Sequence, residues 1–219
     1  ALDDTIALEQ KKVEIEHYKQ EIDIDYLKSE IDYLLRGMHD GASRTAEIVK
    51  SLRIFSRVDE DVVMRADVNL GIESTLVILS SLIGDKITLK RNLGNIPIIE
   101  CYPGKLNQVL LNILTNAIYA IEKKFNGKPG GILSIESALS SAADVLEIII
   151  EDNGVGMPEE VINKIFEPFF TTKDVGEGTG LGMSIAYNTI AKHNGSITVD
   201  SVVGEQTIFT IKIPVVQPA

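Results

Sequence analysis

Two asparagines spaced four residues apart carry the first chemical signal in this sequence. Asn112 and Asn116 lie in LNQVLLNILTNAIYAI, residues 106–121, and this spacing places both side chains on one face of a helix. Apolar residues fill the other faces, so the helix is predicted to be buried and its amides to need partners. A carboxamide oxygen can be one ligand of Mg²⁺ while phosphate oxygens and water supply the rest. The alternative is that both amides only satisfy neighbouring backbone groups.

A short acidic and glycine-containing segment, EDNGVG at residues 151–156, directly follows an apolar run. Asp152 could accept a hydrogen bond from the exocyclic amine of a base. Gly154 and Gly156 would let the backbone pass close to a flat ring. The alternative for this segment is a hairpin turn at Asn153-Gly154.

A glycine-rich segment, GEGTGLG at residues 176–182, immediately precedes a predicted helix. Free amides at the start of a helix, together with the positive end of its dipole, form a phosphate site. Leu181 stands where the dinucleotide fingerprint needs glycine, and no Gly-Lys-Ser/Thr sequence is present for a P-loop. The alternative is a flexible hinge.

The segment FEPFFTTK, residues 166–173, holds three of the six phenylalanines of the chain. This pattern predicts an apolar latch by which a loop docks onto the body of the domain. Lys173 could add a positive charge to such a lid. Ordinary core packing of the phenylalanines and a solvated surface lysine are the alternatives.

The elements that must position these residues alternate between strands and helices after Arg57. Asn69 is predicted to cap the helix that begins at Leu70. The long stretch from Asn153 to Thr179 contains little regular structure, which is typical of a lid or a binding loop. Strands are predicted at 66–68, 86–93, 97–101, 131–139, 145–151, 196–202 and 207–213, and helices at 70–83, 103–124 and 181–193, with a short helical stretch at 159–166.

The first 60 residues have a different character, with no proline and a dense mixture of charges. A break between two helices is predicted within residues 17–25. Apolar residues then step by three and four in a heptad seam: Ile24, Leu27, Ile31, Leu34, Met38, Ile48, Leu52 and Phe55. A helix of this length, about 50 Å at 1.5 Å per residue, needs partner helices to bury its seam. A generic coiled-coil spacer is the alternative.

Composition excludes several classes of partner and site. The chain has 21 Lys and Arg against 32 Asp and Glu, for a net charge of −11. This charge argues against binding to nucleic acid or to anionic lipid. A single cysteine, Cys101, excludes an internal disulfide and a cysteine-rich zinc site, and it suits the cytoplasm. No apolar run approaches the roughly 18 residues needed to cross a bilayer, so no membrane contact is expected.

Taken in order, four segments resemble the N, G1, F and G2 boxes of the ATP-binding domain of sensor histidine kinases, in the GHKL ATPase superfamily. They are LNQVLLNILTNAIYA, EDNGVGM, IFEPFFTTK and GEGTGLGMSIA, and the resemblance covers residues 66–214. The stretch IVKSLRIFSR, residues 48–57, resembles the end of the second helix of that family's dimerisation and phosphotransfer domain. Gln206 stands where the family usually has glycine.

The resemblance implies an α+β fold. Residues 61–219 are expected to form a two-layer sandwich of the GHKL, or Bergerat, type with a mixed and mainly antiparallel sheet. Residues 1–60 are expected to be a helical hairpin or coiled-coil dimerisation segment. The implied partners are a second copy of the chain, through these helices, and the receiver domain of a response regulator. The implied location is the cytoplasm, as the chain itself or as the cytoplasmic part of a longer, membrane-anchored sensor.

The resemblance also implies roles for site residues, with ATP and Mg²⁺ as the cofactors. Asn116 would hold Mg²⁺, and Asn112 would lie beside the phosphates. Asp152 would bind the adenine amine, assisted by Gly156 and by Thr207 through water. The other implied nucleotide-binding residues are Gly154, Lys173, Gly178, Thr179, Gly180, Leu181 and Gly182.

The resemblance implies a protein-histidine kinase, which transfers the γ-phosphate of ATP to a histidine that then supplies a response regulator. Two rival functions remain. Conformational ATPases of the same superfamily place a glutamate four residues before the metal-binding asparagine, where it activates water. Here that residue is Asn112, and an amide cannot act as a general base. The second rival is a degenerate module that binds nucleotide, or nothing, and acts by dimerisation.

The family's phosphoacceptor motif, a histidine followed by an acidic residue and then by Asn or Thr and Pro, is not found in this sequence. His17 is followed by Tyr18, and His193 lies at the end of a predicted helix. His39 is followed by Asp40 but not by proline, and only 16 residues separate it from Phe55, too few for a helix, a turn and a second helix. We therefore expect His39 to lie on the second helix and the acceptor to lie just before Ala1.

Overall fold

The computed structural model describes residues 2–21, 23–55, 62–142, 144–173 and 178–217. The chain divides into two compact units, Ala1–Glu47 and Ile48–Ala219. The domain boundary predicted between residues 60 and 61 falls within residues 56–61, outside the described part of the chain. No helix among the described residues combines the length and apolar character needed to cross a bilayer.

Two helices cover the start of the chain: α1 spans Leu2–Glu21 and α2 spans Ile24–Phe55. The break between them lies inside the predicted interval. Asp23 adopts a left-handed backbone conformation, with φ of 46°, and its carboxylate accepts a hydrogen bond from the Tyr26 amide at 3.2 Å. This side chain satisfies one of the amides that have no partner within the helix at the start of α2.

The predicted seam of α2 is exposed in a single chain. The exposed fractions are 44% for Leu27, 54% for Ile31, 54% for Leu34 and 71% for Met38. Apolar side chains in a regular row on a helix are typical of a helix that packs against another helix. The side chains of Ile48, Leu52 and Phe55, which complete the predicted seam, lie outside the described residues.

The sheet of the second unit forms because its strands alternate buried and less buried residues, so that one face is apolar. The strands are β1 (Met64–Ala66), β2 (Ile87–Leu93), β3 (Ile99–Cys101), β4 (Gly131–Leu139), β5 (Val145–Asp152), β6 (Ser196–Val202) and β7 (Gln206–Pro214). The order in the main sheet is β2-β4-β5-β7-β6, and only β2 and β4 are parallel. Strands β1 and β3 form a separate antiparallel pair.

The helices of this unit are α3 (Val68–Ile83), α4 (Pro103–Phe125), α5 (Glu159–Ile162) and α6 (Gly182–Lys192). Helix α4 contacts α3, α6, β4 and β5, so it lies at the centre of the helical layer. Its residues Leu110, Ile113 and Leu114 are fully buried, as are Ile148 and Ile211 of the sheet. The predicted α+β class and two-layer sandwich with a mixed, mainly antiparallel sheet are confirmed.

Three local predictions were wrong. The first strand, predicted at 66–68, lies at Met64–Ala66, and Val68 is the first residue of α3. Asp67, not Asn69, caps α3, because its carboxylate accepts a hydrogen bond from the Leu70 amide at 3.2 Å. Asn69 instead donates to the carbonyl oxygen of Gly94 and accepts from the Ser137 hydroxyl, at 2.9 and 2.8 Å. The helical stretch predicted at 159–166 is also shorter, since α5 ends at Ile162.

We expect Ile31→Lys to convert a dimer of this chain into a monomer. The substitution places a charge in the apolar seam, where desolvation of the ammonium group would weaken the dimer by about 100-fold or more. Light scattering over a range of protein concentrations measures the change. Ser29→Lys is the matched control, because it adds the same charge on the opposite face of α2. A chain that is already monomeric before substitution would contradict the prediction.

Candidate functional site

A cavity of about 360 Å³ lies in the second unit, between α4, the ends of β5 and β7 and the segments before α6. Among the residues predicted from sequence, those that line it are Asn112, Asn116, Asp152, Gly156, Lys173, Gly178, Thr179, Gly180, Gly182 and Thr207. Gly154 and Leu181 do not line the cavity. Gly154 instead contacts Asp152, and Leu181 is the residue before α6.

Asp152 is the buried acidic group of the cavity. It ends β5, its exposed fraction is 3%, and its Oδ1 accepts a hydrogen bond from the Gly154 amide at 2.8 Å. Burial raises the pKa of this carboxyl to about 6, although the Gly154 hydrogen bond and the positive charge of Lys124 act in the opposite direction. The alternative of a hairpin turn at Asn153-Gly154 is wrong, because β5 pairs with β4 and β7 and not with β6, the next strand along the chain.

Thr207 lies beside Asp152, because β5 and β7 are antiparallel neighbours and these two residues are register partners. Its exposed fraction is 4%. The carboxylate of Asp152 and the hydroxyl of Thr207 thus form a polar part of the cavity wall. Apolar side chains also line the cavity, among them Met157, Val161, Ile165 and Phe209. Such a combination suits a flat aromatic ligand that carries a hydrogen-bond donor.

The two asparagines of α4 point to one side, as their spacing predicts. Asn112 donates from its Nδ2 to the carbonyl oxygen of Gly182 at 3.0 Å, which ties α4 to the start of α6. Asn116 accepts at its Oδ1 from the Nζ atom of Lys173 at 3.1 Å. The same Nζ atom lies 4.3 Å from the centre of the Tyr119 ring. The Asn116 oxygen therefore already contacts a positive group.

That contact is also the test of whether Mg²⁺ fits the site. Asn116 lines the cavity, and its oxygen accepts a hydrogen bond from the ammonium group of Lys173. A metal ligand likewise directs an oxygen lone pair at a positive charge. The described residues contain no cluster of three or more His, Cys, Asp and Glu side chains that could hold a metal ion. Asn116 therefore suits a metal that receives most of its ligands from phosphate oxygens and water.

Two glycines allow the backbone to approach closely around the cavity. Gly156 has φ of 63°, and a Cβ atom there would overlap the carbonyl oxygen of Val202. Gly180 has φ of 65°, and a Cβ atom there would overlap the backbone of Phe169. Both positions combine a left-handed conformation with a close contact, so larger residues would displace the segments that border the cavity.

Helix α6 begins at the cavity. Its first residue, Gly182, lines the cavity, and Leu181 before it makes no side-chain hydrogen bond that caps the helix. The first amides of any helix have no partner within the helix, and the helix dipole is positive at this end. The start of α6 is therefore suited to an anion such as a phosphate.

The predicted phenylalanine latch separates into three environments. Phe166 packs against Tyr187 of α6, with ring centres 5.4 Å apart. Phe170 lines the cavity, whereas Phe169 is 74% exposed and has a positive φ of 68°. One ring thus attaches the segment to α6, and a second ring borders the ligand space.

Several cavity residues were missed from sequence. Tyr119 and Lys123 line the cavity and follow Asn112 and Asn116 at helical spacing, so the face of α4 that the asparagines define could have revealed them. Thr171 and Thr172 also line the cavity. No local signal distinguishes these two threonines from ordinary loop residues.

A two-layer sandwich with a phosphate-suited helix start, a buried carboxylate and a metal-suited amide is the architecture of a GHKL-type ATP-binding domain. Residues 101–217 match the family described as histidine kinase-, DNA gyrase B- and HSP90-like ATPase, and the chain belongs to this family. The resemblance inferred from the four boxes is confirmed.

Two similar proteins are named as sensor kinases. The chain is 34% identical over 197 residues to sensor kinase CckA of Brucella abortus (strain 2308), covering 82% of this chain and 20% of the relative. It is 40% identical over 129 residues to sensor histidine kinase ZraS of Salmonella typhimurium (strain LT2), covering 59% of this chain and 24% of the relative. The chain thus spans a quarter or less of the length of these two relatives.

Solved structures agree with this assignment. The catalytic domain of histidine kinase ThkA is 28% identical to the chain, with a TM-score of 0.61 and coverage of 71% of this chain and 97% of that one. The histidine kinase AdeS of Acinetobacter baumannii is 26% identical, with a TM-score of 0.56 and coverage of 76% of both chains.

We expect Asp152→Asn to stabilise the nucleotide-free protein. A raised pKa means that ionisation of the buried carboxyl destabilises the fold. This destabilisation grows between pH 4 and 6 and is constant above pH 6, where it reaches about 3 kcal/mol. The amide removes this cost and keeps an oxygen for the Gly154 amide. Urea unfolding at several pH values, with the exposed Asp200→Asn as control, measures the difference. Equal stability of Asp152→Asn and the unaltered chain at pH 8 would contradict it.

Proposed function

We propose that this chain is the ATP-binding kinase core of a two-component sensor histidine kinase, which transfers the γ-phosphate of ATP to a histidine that then supplies a response regulator. The observation that carries this proposal is the polarity of one cavity. A buried carboxylate, Asp152, lies at one part of it, and an amide oxygen in contact with a cation, Asn116, lies at another. A base with an exocyclic amine and a metal-bound phosphate group would match these two features.

The proposed roles follow from the contacts of each residue. Asp152 accepts a hydrogen bond from the adenine amine, and Thr207 contributes through a water molecule. Gly178, Thr179, Gly180 and Gly182 bring backbone amides near the phosphates, and Leu181 lies among them at the start of α6. Gly156 borders the base, whereas Gly154 acts on it through its hydrogen bond to Asp152. Bound at Asn116, Mg²⁺ would neutralise negative charge on the phosphate oxygens. Phosphoryl transfer needs mainly positioning and charge neutralisation, which these groups can supply.

Asn112 and Lys173 are proposed to support the metal site. The Asn112 Nδ2 donates to the Gly182 carbonyl oxygen, which holds this side chain at the cavity beside the start of α6, where the phosphates are proposed to bind. Lys173 has an ammonium group that already lies at the Asn116 oxygen, and it would neutralise phosphate charge once a metal takes that place. Both residues are therefore proposed to contact the nucleotide rather than to act as acids or bases.

A conformational ATPase is less well supported. Such enzymes need a general base for water, and the amide of Asn112 cannot accept a proton from water. The relatives reported above are named as sensor kinases, which agrees with transfer to a protein rather than to water.

None of the three histidines of the chain is proposed as the acceptor. His193 is fully buried, its Nε2 accepts from the Tyr102 amide at 2.9 Å, and its Nδ1 lies 2.7 Å from the carbonyl oxygen of Thr189. His17 lies on α1 and is followed by Tyr18. His39 lies on α2, which continues without interruption to Phe55. The acceptor histidine is therefore proposed to come from residues other than those of this sequence.

The proposed partners are a second copy of this chain and a receiver domain. The exposed seam of α2 supports self-association through the N-terminal helices. The net charge of −11 supports the exclusion of nucleic acid as a partner. The proposed location is the cytoplasm, because ATP is available there.

We expect Asn116→Ala to lower Mg²⁺-dependent phosphoryl transfer by about 100-fold or more, because one metal ligand is removed. The apolar faces of α4 remain, so the melting temperature should change little. Transfer to the phosphotransfer domain of a related kinase and the affinity for Mg²⁺-ATP are both measured. Asn92→Ala, which removes an exposed amide of β2, is the control. Unchanged transfer by Asn116→Ala would exclude this residue as a metal ligand.

We also expect this chain to bind ATP without phosphorylating itself. Incubation with γ-labelled ATP and Mg²⁺ should leave no acid-labile phosphate on the protein, because no histidine of the chain has the sequence context of an acceptor. Binding of ATP by the same preparation shows that the protein is competent. Label on His39 would overturn the placement of the acceptor outside this sequence.

A further inference from the structure

The hydroxyl group of Ser201 has three hydrogen-bond partners. It lies 2.9 Å from the Met157 amide, 2.9 Å from the carbonyl oxygen of Gln206 and 2.9 Å from the Thr207 hydroxyl. Ser201 and Thr207 are register partners in β6 and β7. Thr207 lines the cavity, whereas Ser201 does not. Ser201 therefore contacts the ligand space only through its neighbours.

The number of hydrogens fixes the direction of each bond. A serine hydroxyl has one hydrogen and can accept two more. The Met157 amide can only donate, and the Gln206 carbonyl oxygen can only accept. The single hydrogen of Ser201 must therefore point to Gln206, and the Thr207 hydroxyl must donate to Ser201. The reverse direction would place Ser201 and Gln206 oxygens in contact without a hydrogen between them.

This arrangement determines what Thr207 offers to a ligand. With its hydrogen directed at Ser201, the Thr207 oxygen presents only lone pairs to the cavity. Asp152, its register partner in β5, also presents an acceptor when ionised. A ligand group that meets both acceptors without a bridging water is favoured when it donates hydrogens and disfavoured when it can only accept.

We propose that Ser201 is a positioning residue that makes the base site selective for a 6-amino purine over a 6-oxo purine, an inference that rests on the proposed ATP-binding function. A 6-amino group offers two hydrogens to the pair of acceptors. A 6-oxo group, as in inosine or guanosine triphosphate, offers an oxygen that the pair repels, and the neighbouring N1–H offers one hydrogen instead of two. Without Ser201, the Thr207 hydroxyl can rotate and donate to that oxygen.

Removal of the Ser201 hydroxyl is expected to change the ratio of the affinities for ATP and inosine triphosphate. In Ser201→Ala, the preference for ATP over inosine triphosphate should fall about five- to tenfold, the size of one hydrogen bond. A merely structural loss would weaken both nucleotides by the same factor and leave the ratio unchanged. Ser201→Thr keeps the hydroxyl and should restore the ratio.

A double-mutant cycle shows whether the effect passes through Thr207. Dissociation constants of Mg²⁺-ATP and Mg²⁺-inosine triphosphate are measured at pH 8 by calorimetry for the unaltered chain, Ser201→Ala, Thr207→Val and the double variant. Because Thr207→Val has no hydroxyl to orient, adding Ser201→Ala should leave its ratio unchanged. A ratio that falls equally in both backgrounds, or in neither, overturns the inference. Thermal unfolding shows whether Ser201→Ala is misfolded. If it is, Ser201→Thr and Ser201→Cys are compared instead. Equal ratios of the ATP and inosine triphosphate affinities in these two variants would also overturn the inference.

Asp152→Asn separates this inference from the function on which it rests. It should weaken ATP strongly and inorganic tripolyphosphate little, because the lost contact lies on the base. If ATP does not bind to the unaltered chain, the proposed function and this inference both fail. If ATP binds and Asp152→Asn behaves as expected, but Ser201→Ala leaves the ratio intact, only the inference about Ser201 fails.

Discussion

Burial of α4 between the sheet and its neighbouring helices is the constraint on which the site depends. The helix is fixed by its apolar side chains, and its polar face then holds the surrounding segments along its length. Asn112 bonds to the start of α6, Ala120 accepts from the Val155 amide at 3.2 Å, and Lys124 donates to the carbonyl oxygens of Asn153 and Glu205 at 2.7 and 3.1 Å. One rigid helix thus positions both the segment that follows Asp152 and the start of α6 around the same cavity.

Ionisation of Asp152 destabilises the fold that encloses this cavity. A carboxylate in this position loses most of its hydration, and the hydrogen bond from the Gly154 amide and the positive charge of Lys124 offset this loss only in part. A ligand that donates a hydrogen bond to this group would recover part of that cost. The empty site is therefore less stable than it would be with an apolar side chain in place of Asp152. Such a loss of stability is a common feature of binding sites.

Local patterns predicted the elements well but not the contacts between them. Strands Gly131–Leu139 and Ser196–Val202 were predicted at their observed bounds, because alternation and flanking turn residues define them. The cap of α3 was assigned to Asn69 rather than Asp67, because both residue types cap helices and only bonds to distant Gly94 and Ser137 decide between them. Helical spacing revealed Asn112 and Asn116, whereas Ser201 depends on the register of β6 with β7, which the local sequence does not encode.

The pairing of Asp152 with Thr207 does not depend on the length of the chain between them. These residues are adjacent because β5 pairs with β7, although α5, α6 and β6 lie between them in sequence. Doubling the length of a flexible loop adds only about 0.6 kcal/mol of closure entropy. Insertions and deletions in the chain between these two strands can therefore accumulate during evolution while Asp152 and Thr207 remain neighbours, so that cavity borders of different lengths are compatible with one unchanged pair of polar residues.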